Sequence, residues 1–191
     1  MGVVIVMNIT SDCKFPKAKS NSFTLVELLV VISIIGLLAG LGLPAINGAI
    51  KAGKKAEVAA MAESIKTAVN AFYAEYSAYP SNTSRKSDAN FLALMSTTNN
   101  TGVSAQNTRG IAFLEVPPKF TNASGIVTPK GFFPGGKQTN FFVLFDTTNS
   151  GFVNPQQVSG CGTLTNTNVA SSVAVWVMEN PTNKTAVGTF R

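Results

Sequence analysis

Hydrophobic residues dominate one stretch near the beginning of the chain. Between Phe23 and Leu43 the sequence reads FTLVELLVVISIIGLLAGLGL, and Glu27 is its only charged residue. These 21 residues would form a helix about 31 Å long, which matches the hydrocarbon thickness of a bilayer. A secretory signal peptide has a shorter apolar core that is followed by an A-x-A cleavage site. The pattern therefore predicts a transmembrane helix over residues 23–43.

The helical pattern continues beyond this stretch but becomes amphipathic. Apolar side chains recur at steps of three or four residues or their multiples, at Ile46, Ile50, Met61, Ile65, Val69, Phe72 and Tyr76. Charged residues fill much of the remainder, as in a helix that buries one face. One helix is expected from Phe23 to about Ala78, because Pro80 disfavours helix at Tyr79. Pro44 removes a backbone donor and is expected to kink this helix.

Three residues within the apolar stretch have two interpretations each. Glu27 either lies shallow and reaches the membrane interface, or faces a partner, since a carboxylate inside a membrane is costly. Gly36 and Gly40 form G-x-x-x-G, which lets helices approach closely in lipid. They are equally compatible with the ordinary glycine content of membrane helices.

The rest of the chain is predicted to form a small β-rich domain. Residues 81–110 are polar and contain one apolar island at Phe91–Met95, which predicts a loop with a short helix. Strands are predicted at 111–116, 140–145, 172–178 and 185–190, separated by Pro, Gly and Asn clusters. Hairpin-linked strands beside one long helix indicate an α+β fold, with a small antiparallel sheet packed on the helix.

Composition narrows the function classes. Charged residues make up only 13% of the chain and there is no histidine, so the commonest general base and metal ligand is missing. The net charge of +6 includes no dense Lys/Arg run interleaved with aromatics, which argues against nucleic-acid binding. No catalytic motif is present, and we predict that the chain is not an enzyme. The two cysteines are Cys13 and Cys161, and we interpret Cys161 as a neutral loop residue.

A weak candidate for a calcium loop lies in the C-terminal half. Asp146, Thr148 and Ser150 alternate before Gly151, which loosely resembles an oxygen-rich calcium loop. The stretch has one carboxylate, whereas a calcium site usually needs more charge. A plain hairpin turn is the favoured interpretation, and no cofactor is predicted beyond this weak calcium site.

The N-terminus resembles a known family. A short leader with Lys14, Lys17 and Lys19 precedes FTLVE and the apolar helix. This arrangement is similar to the class III signal of type IV prepilins and type II secretion pseudopilins. The resemblance implies that a prepilin peptidase cleaves between Ser22 and Phe23 and methylates the new amino group of Phe23. Ser22 stands where the family usually has Gly. By the same resemblance, Glu27 neutralises the N-terminal amine of a neighbouring subunit during assembly.

The resemblance also implies an organisation and a function. Residues 1–22 would be the leader peptide, 23–43 the transmembrane and assembly helix, 44–79 its amphipathic periplasmic half, and 80–191 a periplasmic globular domain. The protein would be a pseudopilin of a type II secretion system, which exports proteins across the outer membrane. It would lie in the bacterial inner membrane with a single pass, and leave the membrane when it joins a fibre.

The expected partners follow from that assignment. They are copies of the chain in a helical filament, other minor pseudopilins, the prepilin peptidase, and an inner-membrane assembly platform with its ATPase. Two alternatives stay open. One is a type IV pilus pilin for adhesion, motility or DNA uptake. The other, from a different class, is a signal-anchored periplasmic enzyme or binding protein, which would leave Glu27 and FTLVE unexplained.

Overall fold

A long helix and two small antiparallel sheets make up the fold. The computed structural model describes residues 24–81, 84–96, 106–159, 161, 164, 168–180 and 185–190, with the side chains of 42–44 and 180 left out. The helices are α1 (Leu25–Tyr76) and α2 (Ala89–Ser96). The strands are β1 (Thr121–Asn122), β2 (Gly125–Ile126), β3 (Phe142–Phe145), β4 (Val173–Asn180) and β5 (Thr185–Gly188).

The chain divides into two compact units, Met1–Ala45 and Ile46–Arg191. In the first unit the described part is helical from Leu25 onward, and every residue of 24–41 is exposed. The helix α1 is long and apolar enough to cross a membrane, and its most apolar window has a mean hydropathy of 2.5 with nothing buried. The domain boundaries predicted from the sequence stay predictions.

The second unit builds its core on one face of α1. Seven side chains of the helix are buried at three- and four-residue steps: Val58, Met61, Ala62, Ile65, Ala68, Val69 and Phe72. This spacing places them on one face of a helix. Val173, Val175 and Val177 of β4 pack into the same cluster, together with residues of α2. The predicted α+β arrangement is confirmed, although Ile46 and Ile50 of the predicted apolar stripe are 56% and 51% exposed.

The three-stranded sheet lies between two buried layers. Its order is β3-β4-β5, and both pairs are antiparallel. Alternate residues of β4 point to opposite faces, so Ala174 and Trp176 join a second cluster with Leu144, Val153 and Cys161. Both faces of β4 are therefore buried. This explains why VAVWV is a continuous apolar run and not an alternating one.

Three of the four predicted strands are confirmed, and the prediction at 111–116 is wrong. This segment forms no regular secondary structure and pairs with no strand in the described chain. The backbone N–H groups of Phe113 and Leu114 both donate to the carbonyl of Met95 at the end of α2. The side-chain amide of Asn107 accepts a hydrogen bond from the N–H of Ile111 and donates one to the carbonyl of Ile111. These partners satisfy backbone groups that a strand would have paired with a neighbouring strand.

Two glycines are required by close backbone approach. A Cβ at Gly188 of β5 would collide with the backbone of Val175 and Trp176. Gly125 of β2 has φ +109° and faces the backbone of Asp88 at the start of α2. Only glycine fits such positions without displacing the neighbouring chain. They fix how closely β5 and β2 approach their neighbours.

We predict that Ile65→Ala destabilises the second unit strongly, because Ile65 is 0% exposed. The free energy of unfolding should fall by about 2–5 kcal/mol, as for other buried Ile→Ala changes. Ile50→Ala is the matched control and should cost less than about 0.5 kcal/mol, since its side chain is largely exposed. Denaturant titrations of the full chain in micelles can follow the fluorescence of Trp176, the single tryptophan. Equal losses in the two variants would contradict the described core.

Candidate functional site

The first turn of α1 is the candidate assembly site. Thr24 and Glu27 are the polar residues at its start, and the large side chains that follow as far as Leu41 are apolar and exposed. Ser22 and Phe23, the predicted cleavage and methylation site, lie outside the described residues. The structure therefore describes one of the two predicted assembly residues, Glu27, and the cleavage position stays a prediction.

Glu27 caps its own helix. The backbone N–H of Thr24 donates to Oε2 of Glu27 at 2.9 Å, and the Thr24 hydroxyl donates to the same oxygen at 2.9 Å. In return, the N–H of Glu27 donates to Oγ1 of Thr24 at 3.2 Å. This reciprocal pair is a capping box, which satisfies backbone donors that have no partner inside the helix. The carboxylate also lies at the positive end of the helix dipole.

The capping box was missed by the sequence analysis, although its signature is visible there. Thr24-Leu-Val-Glu27 is the T-x-x-E pattern that precedes an apolar run at a helix start. The sequence interpretations of Glu27 rest on its charge: its cost in a membrane, its reach to the interface, or a partner on another subunit. Thr24 therefore joins Glu27 as a residue that defines the polar end of the apolar helix.

Other predicted features of the helix are only partly described. Pro44 lies inside α1, but its side chain is outside the described residues, so the kink stays a prediction. A Cβ placed on Gly36 or Gly40 would meet nothing within 4 Å. Nothing that surrounds these two glycines in the described chain requires their small size. The interpretation as a close helix–helix contact therefore depends on another chain and stays a prediction.

Asp146 organises the loop that follows β3. Its Oδ1 accepts hydrogen bonds from the backbone N–H and the hydroxyl of Thr148, at 3.2 and 3.0 Å, and from those of Ser150, at 3.1 Å each. The N–H of Gly151 donates to Oδ2 at 2.6 Å. Asn149 and Gly151 adopt φ values of 53° and 79°, which close the turn around the carboxylate. Asn and Gly are the residues that tolerate this conformation best.

These hydrogen bonds set the acidity of Asp146, whose side chain is buried. Burial raises the pKa of the carboxyl, because it disfavours the charged form. Hydrogen bonds from the Ser150 and Gly151 backbone and from the Thr148 and Ser150 hydroxyls outweigh burial. Together they lower the pKa of Asp146 from 3.8 to about 2.

The same contacts bear on the weak calcium candidate. Asp146, Thr148 and Ser150 do lie together, as the alternating pattern implied. Their N–H and O–H groups point at the carboxylate, whereas Ca²⁺ needs oxygen lone pairs. Among the described residues, no group of three or more His, Cys, Asp or Glu could hold a metal ion. Calcium binding here stays a prediction, and the geometry gives the loop a structural role of its own.

Cys161 is a core residue. It is 0% exposed and packs in the second cluster with Trp176. Burial raises the pKa of its thiol, against smaller opposing effects of the Trp176 indole and the Lys86 charge. A buried thiol with a raised pKa is a poor nucleophile.

We predict that Thr24→Ala loosens the first turn of α1, because it removes the acceptor for the Glu27 N–H. Losing such a cap costs about 1 kcal/mol, which corresponds to roughly fivefold faster amide exchange at Glu27. Thr24→Ser keeps the hydroxyl and is the matched control. Amide exchange of the full chain in micelles, measured by NMR, tests both variants. An unchanged rate in Thr24→Ala would refute the capping role.

We predict that Asp146→Asn destabilises the second unit in a pH-dependent way. The folded pKa of about 2 lies below the ordinary 3.8, so the ionised carboxylate stabilises the fold above the ordinary pKa. This contribution disappears as the pH falls from about 4 through 2. The difference in unfolding free energy between wild type and variant should therefore be largest near neutral pH and shrink towards pH 2. Trp176 fluorescence in denaturant titrations measures it, and a constant difference would contradict the charge-dependent role.

Comparison with known proteins finds a family match near the start of the chain and a partial similarity to pilins. The family profile described as the prokaryotic N-terminal methylation motif matches residues 17–43. A fimbrial protein of Neisseria meningitidis is 39% identical over 62 residues, which is 32% of this chain and 36% of that protein. A type IV major pilin protein, PilE1, of Neisseria gonorrhoeae is 37% identical over 62 residues, 32% of this chain and 38% of the pilin. The fimbrial protein EcpC of Eikenella corrodens is 36% identical over 64 residues, 34% of this chain and 42% of its own length.

The similarity is confined to part of each protein. The matched region spans between 36% and 42% of the length of these relatives. No solved structure matches the chain. The methylation motif and the similarity to pilins agree with the resemblance that FTLVE predicted. The chain therefore carries a prepilin-type methylation motif at residues 17–43 and is similar to type IV pilins over about a third of its length.

Proposed function

We propose that the chain is a structural subunit of a pilus-like filament, assembled through α1. The observation that carries this proposal is the combination of the methylation motif with an apolar helix surface that the described chain leaves uncovered. All large apolar side chains from Leu25 to Leu41 are at least 48% exposed. Such a surface needs lipid before assembly and other copies of the helix afterwards.

The proposed assembly contact is an ion pair between Glu27 and the amine of Phe23 on a neighbouring copy. A carboxylate and an ammonium are each costly to bury alone and satisfy each other when paired. The capping box supports this role, since it keeps the carboxylate at the very start of the helix, four residues from the proposed new N-terminus. Cleavage before Phe23 by a prepilin peptidase supplies that amine. The fold would then need no catalytic group, in keeping with the prediction that the protein is not an enzyme.

Within this class, we propose a pseudopilin of a type II secretion system, with its C-terminal unit in the periplasm. The helix-end segment AFYAEYSAYP, which resembles that of pseudopilins, supports it. So does the lack of a second cysteine after the proposed cleavage site that could close a disulfide loop with Cys161, as pilins often have. Partners would be other pseudopilins and an inner-membrane platform with its ATPase. The similarity to major pilins of Neisseria favours the second candidate, a type IV pilus pilin.

We predict that Glu27→Ala is inserted, cleaved and methylated but fails to assemble. Filament yield should fall by more than about tenfold, because an unpaired buried ammonium costs several kcal/mol per subunit. Glu63→Ala is the control, since Glu63 is exposed on the same helix. Assembled subunits are quantified in the native bacterium by cross-linking in isolated cell envelopes, and the N-terminus is read by intact mass and sequencing.

Two outcomes of this experiment would contradict the proposal, and deletion of the gene separates the two candidate functions. Normal filaments from Glu27→Ala would refute the ion pair. An uncut chain in wild-type cells would refute prepilin processing and favour a static membrane anchor. If deletion of the gene abolishes protein secretion while surface pili persist, the subunit is a pseudopilin. The reverse result identifies a pilus pilin.

A further inference from the structure

A basic surface surrounds one loop of the second unit. We define the basic loop face as Lys51, Lys54 and Lys55 of α1 together with the loop Lys130–Lys137. Nζ of Lys54 donates to the carbonyl of Gly131 at 2.9 Å, which fixes the loop against the helix. A cleft of about 980 Å³ lies between them. Its single lining carboxylate, Glu179, is paired with Lys55 at 2.7 Å.

The charge of this face is largely uncompensated. Lys51, Lys130 and Lys137 are exposed, and none has an ion pair or hydrogen bond to any residue that the structure describes. Elsewhere along α1, basic groups of the domain do find partners: Lys119 pairs with Glu57, and Arg109 with Glu75. Apart from the pair between Lys55 and Glu179, the basic loop face therefore lacks the ion pairs seen on the rest of the helix.

The tip of the loop consists of two aromatic residues followed by three small exposed residues. The rings of Phe132 and Phe133 meet edge to face at 4.8 Å and are only half-buried. Pro134, Gly135 and Gly136 follow and are exposed. Lysines around a partly exposed aromatic pair are typical of surfaces that bind the headgroup layer of a membrane, where apolar groups enter the interface and cations meet anionic lipids.

The face also follows directly on the membrane segment in the chain. Lys51 comes eight residues after Leu43, which is about 12 Å of helix. The headgroup layer is about 5–7 Å thick, and charges attract over a further 8 Å or so at physiological salt. Ile46 and Ile50, which lie between, are more than half exposed. The lysines are therefore within electrostatic reach of the leaflet that α1 leaves.

We propose that the basic loop face docks the second unit on anionic lipid headgroups while the subunit is anchored in the membrane. Charge complementarity and continuity with the membrane segment both select a lipid surface as the occupant. Docking restricts the unit to one orientation on the leaflet, and extraction of the subunit must break it. The inference rests on the membrane anchor and not on filament formation, so it is testable in a chain that never assembles.

The test is hydrogen exchange of the full chain in lipid nanodiscs with one copy per disc. Discs of phosphatidylcholine alone are compared with discs that also contain phosphatidylglycerol. Amides of 130–138 should exchange several-fold more slowly in the anionic discs, and high salt should remove the difference. The exposed loop 147–152 should exchange equally in both. Glu27→Ala should behave like wild type, which separates this result from the fate of the assembly proposal.

Matched variants identify the cause of the protection. Replacing Lys51, Lys130 and Lys137 by Gln should abolish the effect of anionic lipid. Replacing Lys66, Arg109 and Lys119 by Gln removes the same charge elsewhere and should leave the effect intact. Equal exchange in both kinds of disc would overturn the proposal. Protection that appears only with several copies per disc would also overturn it, and would assign the face to contact between subunits.

Discussion

The exposed apolar surface of α1 is the physical constraint on which the rest of the structure depends. Twelve large side chains between Leu25 and Leu41 have about half or more of their surface uncovered. Burying such side chains is worth roughly 1.5–3 kcal/mol each, so the segment cannot remain in water. Lipid and a bundle of identical helices are two ways to cover it. The filament subunit that we propose would use both in turn.

After Ile50, the apolar face of the same helix is buried within the chain itself. From Val58 to Phe72 its apolar face is covered by α2 and the valines of β4, and needs no other chain. The residues between these two parts, 51–57, are rich in lysine and exposed or half-buried. Within about two turns, the apolar surface of one helix thus changes from exposed to buried against the domain. This change separates the region that must find lipid or partners from the region that carries a stable domain.

A structural element could be predicted from the sequence when the interactions that stabilise it repeat along neighbouring residues. The helix and three strands followed from periodicity, since their hydrogen bonds and buried faces repeat along the sequence. The segment 111–116 could not be placed, because Met95, 18 residues away, and the side chain of Asn107 satisfy its backbone groups. The bonding around Asp146 also requires Asn149 at positive φ, which composition does not reveal. The capping box at Thr24 was local and readable, and was missed only because Glu27 was considered for its charge alone.

The cap at Glu27 also bears on how the proposed ion pair could form. If Glu27 had to break its hydrogen bonds with Thr24 before it could bind a neighbour's amine, the helix would lose its cap on assembly. In the described chain both hydrogen bonds from Thr24 fall on Oε2, and none is recorded on Oε1. A carboxylate can accept about four hydrogen bonds through its two oxygens. Capping and pairing can therefore coexist, with Oε2 holding the helix start and Oε1 facing the ammonium. In this arrangement, the cap orients the carboxylate before assembly and does not compete with it.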